Sequence, residues 1–230
     1  MFLINPYILG GGAVGNPLWN DLLAYYTADN TPNDALGTYN GTLTNGATYG
    51  TGIINNGFSL DGVNDYVDIG NNLDFSGDTP FSFSCWVDSN SNNVDVFGKY
   101  TSSGIIKGYA LSILSSGLLR FYLQNNNSTD RIRVDSTTAI TSGLKHITVT
   151  YDGSTDANGI KIYINGVSDT LSILTNGFTG GLSSTVSFTI GTGAGFGFFN
   201  GIIDEVGIWN RELTASEVTE LYNSGSGLQY

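Results

Sequence analysis

One cysteine, one histidine, four glutamates, four prolines and eight basic residues in 230 leave several chemistries without their parts. Cys85 alone forms neither an intramolecular disulfide nor a thiolate metal site. It alternates with Phe81 and Phe83, where a thiol serves as a small apolar core residue. Any Ser-His-Asp or Cys-His arrangement would have to be built on His146, which sits mid-strand in Lys145–Tyr151 with no nucleophile elbow nearby, so it is read as structural. Eight bases against 20 acids give a net charge of −12 and no basic stripe, which excludes nucleic acid as a partner. No apolar run is long enough to span a membrane, and the residues after Met1 lack a basic region and are broken by Pro6, so no secretory signal peptide is expected.

What the chain does have is 32 glycines, many asparagines, and 12 Phe, 13 Tyr and 3 Trp, a composition suited to short strands, tight turns and a large core. Beyond Leu18 the apolar period is two, with turn signals every eight to twelve residues and no alternation of strand with helix. One β-sandwich over 18–230 is expected, preceded by an uncharged, Gly-rich arm over 1–17. Strands are expected at Leu22–Asp29, Tyr66–Ile69, Phe81–Val87, Val94–Lys99, Tyr109–Leu114, Leu118–Leu123, Arg131–Asp135, Lys145–Tyr151, Ile160–Ile164, Val186–Ile190 and Ile202–Trp209. The Asn-Gly pairs at 40, 45, 56, 165, 176 and 200 are candidate turns, the one at Asn165 closing a type I′ hairpin. One helix follows Thr214, which pairs with Glu217 as a capping box; Leu213 and Val218 form the staple, and Gly225 is the expected terminator.

Five segments resemble, in order and spacing, laminin-G-like domains of the concanavalin A-like lectin/glucanase superfamily. They are Leu22–Asp29; Phe58–Gly62 with Asn64–Ile69; Phe81–Val87; Lys145–Gly153 with Ile160–Gly166; and the closing strand and helix Phe199–Val218. The resemblance implies an all-β, concanavalin A-like jelly-roll sandwich of two antiparallel sheets with one short C-terminal helix. It also implies a structural calcium, held between the opening strand and the Ile203-Asp204-Glu205-Val206 strand, for which Asp29 and Asp204 match; Asp61 and Asp65 are further candidate ligands. Asp204 is equally open to the reading of a carboxylate that accepts backbone hydrogen bonds at a strand edge. The family's glucanases carry a closely spaced Glu, Asp, Glu set on one strand, for chemistry that needs two carboxylates about 5 Å apart. Here every glutamate (Glu205, Glu212, Glu217, Glu220) lies in the closing strand and helix, so no catalytic residue is expected and the protein is read as a non-enzyme.

Glycan binding calls for exposed aromatic faces beside amides or carboxylates. Asn90–Asn93, Asn125–Asn127 and the loop with Phe196, Phe198 and Phe199 offer such groups, and the asparagine runs are equally ordinary turns. Gly191–Gly195 has the look of a dinucleotide loop, but no helix follows it. The FLINPY opening resembles those of some bacteriophage structural proteins. The expectation is a bacteriophage virion protein (capsid decoration, head fibre or tail) with a cell-surface glycan as partner. Residues 1–17 would then join it to other virion proteins or to its own copies as an oligomer. The alternative is a carbohydrate-binding or adhesion module on a bacterial cell surface; a glycoside hydrolase is the remote third.

Overall fold

A computed structural model describes residues 15–101, 106–126, 129–193 and 195–230. Residues 1–14 of the expected arm lie outside the described residues, as does Asn127. Sixteen strands are found among the described residues: β1 (Leu22–Tyr26), β2 (Thr42–Thr44), β3 (Thr48–Thr51), β4 (Asn56–Asp61), β5 (Tyr66–Asp68), β6 (Phe81–Ser89), β7 (Val94–Tyr100), β8 (Gly108–Ile113), β9 (Leu118–Asn126), β10 (Asp130–Ala139), β11 (Lys145–Tyr151), β12 (Ile160–Ile164), β13 (Val167–Ser168), β14 (Leu171–Gly177), β15 (Thr189–Ile190) and β16 (Asn200–Trp209). One helix, α1 (Ala215–Tyr222), follows.

The strands form two eight-stranded sheets, and every strand pair is antiparallel. The first runs β13-β12-β11-β6-β16-β4-β3, with β1 also paired to β16; the second runs β14-β10-β9-β8-β7-β15-β5-β2. This is the jelly-roll sandwich expected from the sequence. Its core lies between the sheets because alternate residues of each strand point to one side. Phe81, Phe83 and Cys85 of β6 meet Phe97, Tyr109, Phe121 and Phe188 there, all buried. Phe83 lies 4.7 Å from Phe97 and 5.3 Å from Tyr109, ring centre to ring centre, and such pairs add roughly 0.5–1.5 kcal/mol each beyond burial. Burial pushes the Cys85 thiol up to about 12, so it is an inert core residue.

A smaller cluster sits on the outer face of the first sheet, where Leu18, Tyr25, Tyr163 and Trp209 pack against Leu213, Val218 and Leu221. Thr214 caps α1 as expected: its Oγ1 accepts from Glu217 N, and its own N–H donates to Glu217 Oε2 at 2.8 Å. The helix ends earlier than expected, at Asn223 in the left-handed conformation (φ 47°) rather than at Gly225. The Asn165-Gly166 turn is confirmed by positive φ at both residues (52° and 76°). The Asn-Gly pairs at 56, 176 and 200 instead fall inside β4, β14 and β16. Of the expected Val186–Ile190 strand, β15 keeps only Thr189–Ile190, with Phe188 bonded through its backbone to Ile69 and Gly70. The expected arm ended at residue 17, but Asn16 and Pro17 are docked on the sandwich: Asn16 Nδ2 donates to Glu220 Oε1 and Arg211 donates to Pro17 O.

Candidate functional site

The first sheet is covered by α1 on its outer face, whereas the outer face of the second carries two adjoining clefts. The alternation that sends Leu119, Phe121 and Leu123 of β9 and Ile132 and Val134 of β10 into the core turns Arg120, Tyr122, Gln124, Arg131, Arg133 and Asp135 outward. Antiparallel register then sets Arg120 beside Asp135, Tyr122 beside Arg133, and Gln124 beside Arg131. One cleft, of about 140 Å³, is lined by these strands together with Tyr100 and Phe196. The other, of about 340 Å³, is lined by Tyr66 and Asp68 of β5, Gly98 and Tyr100 of β7, Thr189 of β15, and Phe198. Tyr100 lines both, so the two clefts adjoin and together make up the groove of this face.

The groove's parts are held in place by their own bonds. Tyr100 Oη donates to Gln124 Oε1 at 3.0 Å, and its ring meets Tyr122 edge-on at 5.0 Å. Tyr66 and Phe198 lie face to face at 6.5 Å. Asp95, buried beneath, accepts from Ser112 Oγ at 2.6 Å and from Phe196 N at 3.2 Å, which ties Phe196 to the sheet. At the floor, Gly98 and Gly193 pass so close that a Cβ on Gly193 would sit 2.8 Å from Gly98 Cα. That contact gives Gly193 its role: it crosses β7 closely at Gly98 and lines the cleft.

Electrostatically the groove's end at β9 and β10 is cationic. Arg120 forms a bidentate pair with Asp135 through Nε and Nη2, both at 2.7 Å, which raises its guanidinium further. Arg133 is shifted the other way, lowered by burial and by the like charges of Arg120 and Arg131. Burial raises the phenols of Tyr100 and Tyr122, so both rings stay neutral.

The residues singled out from the sequence are distributed unevenly. Phe196 and Phe198 line the groove, whereas Phe199 is buried in the core. Asn92, Asn93 and Asn125 build turns: Asn92 Nδ2 donates to Ser115 O, Asn93 is left-handed, and Asn125 Nδ2 donates to Asp130 Oδ2. His146 is buried, with Nε2 2.8 Å from Ser84 Oγ and no partner for Nδ1 among the described residues. Burial lowers it to about 3, so it stays neutral, without the carboxylate a triad needs.

Asp29 and Asp204 are brought together, and Glu205 joins them. Asp204 Oδ2 accepts from the N–H groups of Ile53 and Ile54 and Oδ1 from Glu205 N; Asp29 accepts from Asn56 N, Asn55 Nδ2 and Gln229 Nε2. Asp61 lies elsewhere, bonded to Val63 N, with its own N–H donating to Asp65. Among the described residues no group of three or more carboxylates, histidines or cysteines is arranged to hold a metal. The oxygens of Asp29 and Asp204 face N–H donors, so that pair fits a hydrogen-bonded carboxylate cluster rather than a cation cage, whereas Asp65 Oδ1 is buried without a hydrogen-bond partner among the described residues.

The sequence reading missed Arg120, Tyr122, Gln124, Arg131 and Arg133 as groove residues. The signal was present in Arg131-Ile132-Arg133-Val134-Asp135, whose alternation puts three charges on one face, but only strand register shows what they face.

Comparison with known proteins agrees with this architecture. The laminin-G family model described as concanavalin A-like lectin/glucanases superfamily matches residues 61–219. No curated protein matches the chain. Among solved structures, domain 4 of AbnA, a GH43 extracellular arabinanase from Geobacillus stearothermophilus solved in complex with arabinotriose, superposes with a TM-score of 0.67 at 22% identity. The match covers 87% of this chain and 97% of that one. The binding domain of Paraclostridial Mosquitocidal Protein 1 gives 0.70 at 18% identity, over 90% of this chain and 53% of that chain. The binding domain of Botulinum Neurotoxin DC in complex with SialylT gives 0.64 at 18%, over 90% and 52%. The chain thus spans about half the length of these toxin binding domains, and at such identities the likeness is one of fold.

Proposed function

The chain belongs to the concanavalin A-like lectin/glucanases superfamily, and from that membership we propose that it is a non-enzymatic carbohydrate-binding module that takes a glycan in the groove across β5, β7, β9 and β10. The observation that carries the reading is the groove itself. Aromatic faces (Tyr66, Tyr100, Tyr122, Phe196, Phe198) stand beside fixed hydrogen-bonding groups (Asp68, Gln124), the pairing that sugar C–H faces and hydroxyls require. The solved relatives lend support, since two of them were captured with arabinotriose and with SialylT. The binding-only reading is supported by where the glutamates lie: Glu205 is buried beside Tyr25, and Glu212, Glu217 and Glu220 belong to the helix end of the other sheet.

The test is binding of the whole chain to a panel of immobilised oligosaccharides, followed by Tyr100→Ala and Phe198→Ala. Each substitution should weaken binding by about tenfold, the loss of one stacking ring. Groove variants that bind as well as the parent would overturn the reading, and so would sugar release from the panel. As to setting, the reading extends to a virion or bacterial surface, with residues 1–17 as the assembly element. Co-sedimentation with particles, lost when the arm is removed, checks it.

A further inference from the structure

We propose that the β9–β10 end of the groove selects an acidic sugar, whose carboxylate is taken by Arg131 and Arg133. The inference rests on the glycan reading above and names its ligand class.

Three of the chain's four arginines stand in this cleft, in a protein of net charge −12. Arg120 is already committed to Asp135 through two bonds of 2.7 Å. Arg131 and Arg133, two residues apart on one face of β10, are different: the Nε of each is buried and has no hydrogen-bond partner among the described residues. A buried guanidinium N–H without an acceptor costs free energy, and three guanidinium groups side by side repel one another. The repulsion is relieved by an incoming anion. Asp135 eases the repulsion on Arg133 through its charge, but no acid among the described residues bonds the Nε of Arg131 or Arg133. Asp135 serves Arg120, and Asp95 accepts from Ser112 Oγ and Phe196 N.

A guanidinium fork matches the two oxygens of a planar carboxylate, while Tyr100 and Phe196 on the same cleft offer apolar faces to the ring that bears it. A cleft of about 140 Å³ adjoining one of about 340 Å³ suits a terminal acidic residue continued by neutral sugars. Uronates and sialates share this chemistry; sulfate esters present a tetrahedral anion instead.

The test is calorimetry on the full chain with trigalacturonate and sialyllactose as carboxylate probes, lactose and arabinotriose as neutral ones, and a sulfated galactan oligosaccharide. At least one carboxylate probe should bind about tenfold or more tighter than the neutral ones and weaken as salt rises. Arg131→Gln and Arg133→Gln should each remove that preference, so that acidic and neutral probes bind alike. Arg133→Lys, which keeps the charge but not the fork, should lose most of it as well. Unchanged melting temperatures would show that these variants fold. Equal binding of neutral and acidic probes, indifferent to the arginine variants, sinks acid selection and leaves the glycan reading standing. Tighter binding of the sulfated probe alone overturns the carboxylate assignment, and no binding by any probe overturns both readings.

Discussion

Tyr25 Oη has one proton, yet it lies 2.6 Å from Glu205 Oε2 and 2.8 Å from Leu228 O. A carbonyl only accepts, so both contacts are hydrogen bonds only when Glu205 carries a proton and donates to Tyr25, which donates onward to Leu228. The environment favours that state: burial first, then the charges of Asp204 and Asp29, push Glu205 up to about 9, and burial raises Asp204 to about 7. The folded protein therefore holds protons that the unfolded chain releases. The stability they give is complete below about pH 4.5 and is lost as pH rises through about 9. His146, shifted in the opposite sense, affects stability only below about pH 6.5, and Cys85 begins to contribute only near pH 9, so between about 7 and about 9 the carboxyls dominate. We expect the melting temperature to fall by several degrees across that interval and Glu205→Gln to flatten the fall, leaving a smaller slope from Asp204. Parallel curves for parent and variant would refute the protonated pair. Asp204 was legible from its motif. Glu205 was not, because a bulge between Asp204 and Gly207 sets it at φ 50° and turns its side chain toward Tyr25 against the strand's alternation.

Elements differ in how much of themselves they show in sequence. The capping box of α1 was legible because all its partners are local, and its worth is measurable. Thr214→Ala should cost about 1 kcal/mol in denaturant unfolding, with Thr214→Ser close to the parent. A cost well under that would mean the Arg211–Glu217 pair holds the helix start without the cap. Central strands β6, β11, β12 and β16 were legible since their buried faces impose period two. The edge strands were not: β14 exposes most of its residues, so nothing in Leu171–Gly177 forces alternation, and β2, β3 and β13 are two to four residues long. The groove stands between these cases. Each strand's outward residues were readable, but that β9 and β10 put Arg120, Arg131 and Arg133 in one cleft depends on pairing across a connection.

At the scale of the whole molecule, the two outer faces are used for different ends. The first sheet's face is closed by α1 and the last residues, and residues 17–20 are locked there too. Arg211 donates to the carbonyls of Pro17, Leu18 and Asn20, and Trp209 Nε1 donates to Leu18 O at 2.8 Å. Removing residues 1–20 should therefore lower the melting temperature relative to removing 1–14, by about 5 °C or more, given about 1.5–3 kcal/mol for a buried leucine and a few degrees per kcal/mol at this size. Equal melting would show the lock to be idle. The cluster of Asp29, Asp204 and Glu205 belongs to this same closed side, joining β1, the β3–β4 turn, β16 and Gln229. Three carboxyls brought together from distant parts of a chain repel unless a cation or protons intervene, and the two solutions leave different marks. A cation bound only by the folded state stabilises by mass action, about 2.7 kcal/mol at a hundredfold excess over its dissociation constant. Protons stabilise through pH alone. Because Ile53, Ile54, Asn56 and Gln229 already point N–H donors at these oxygens, we expect melting curves at about neutral pH in millimolar calcium, in millimolar magnesium and in excess chelator to superimpose. A rise specific to calcium and erased by Asp204→Asn would mean that those donors yield to the ion, and that the cluster is a metal site after all.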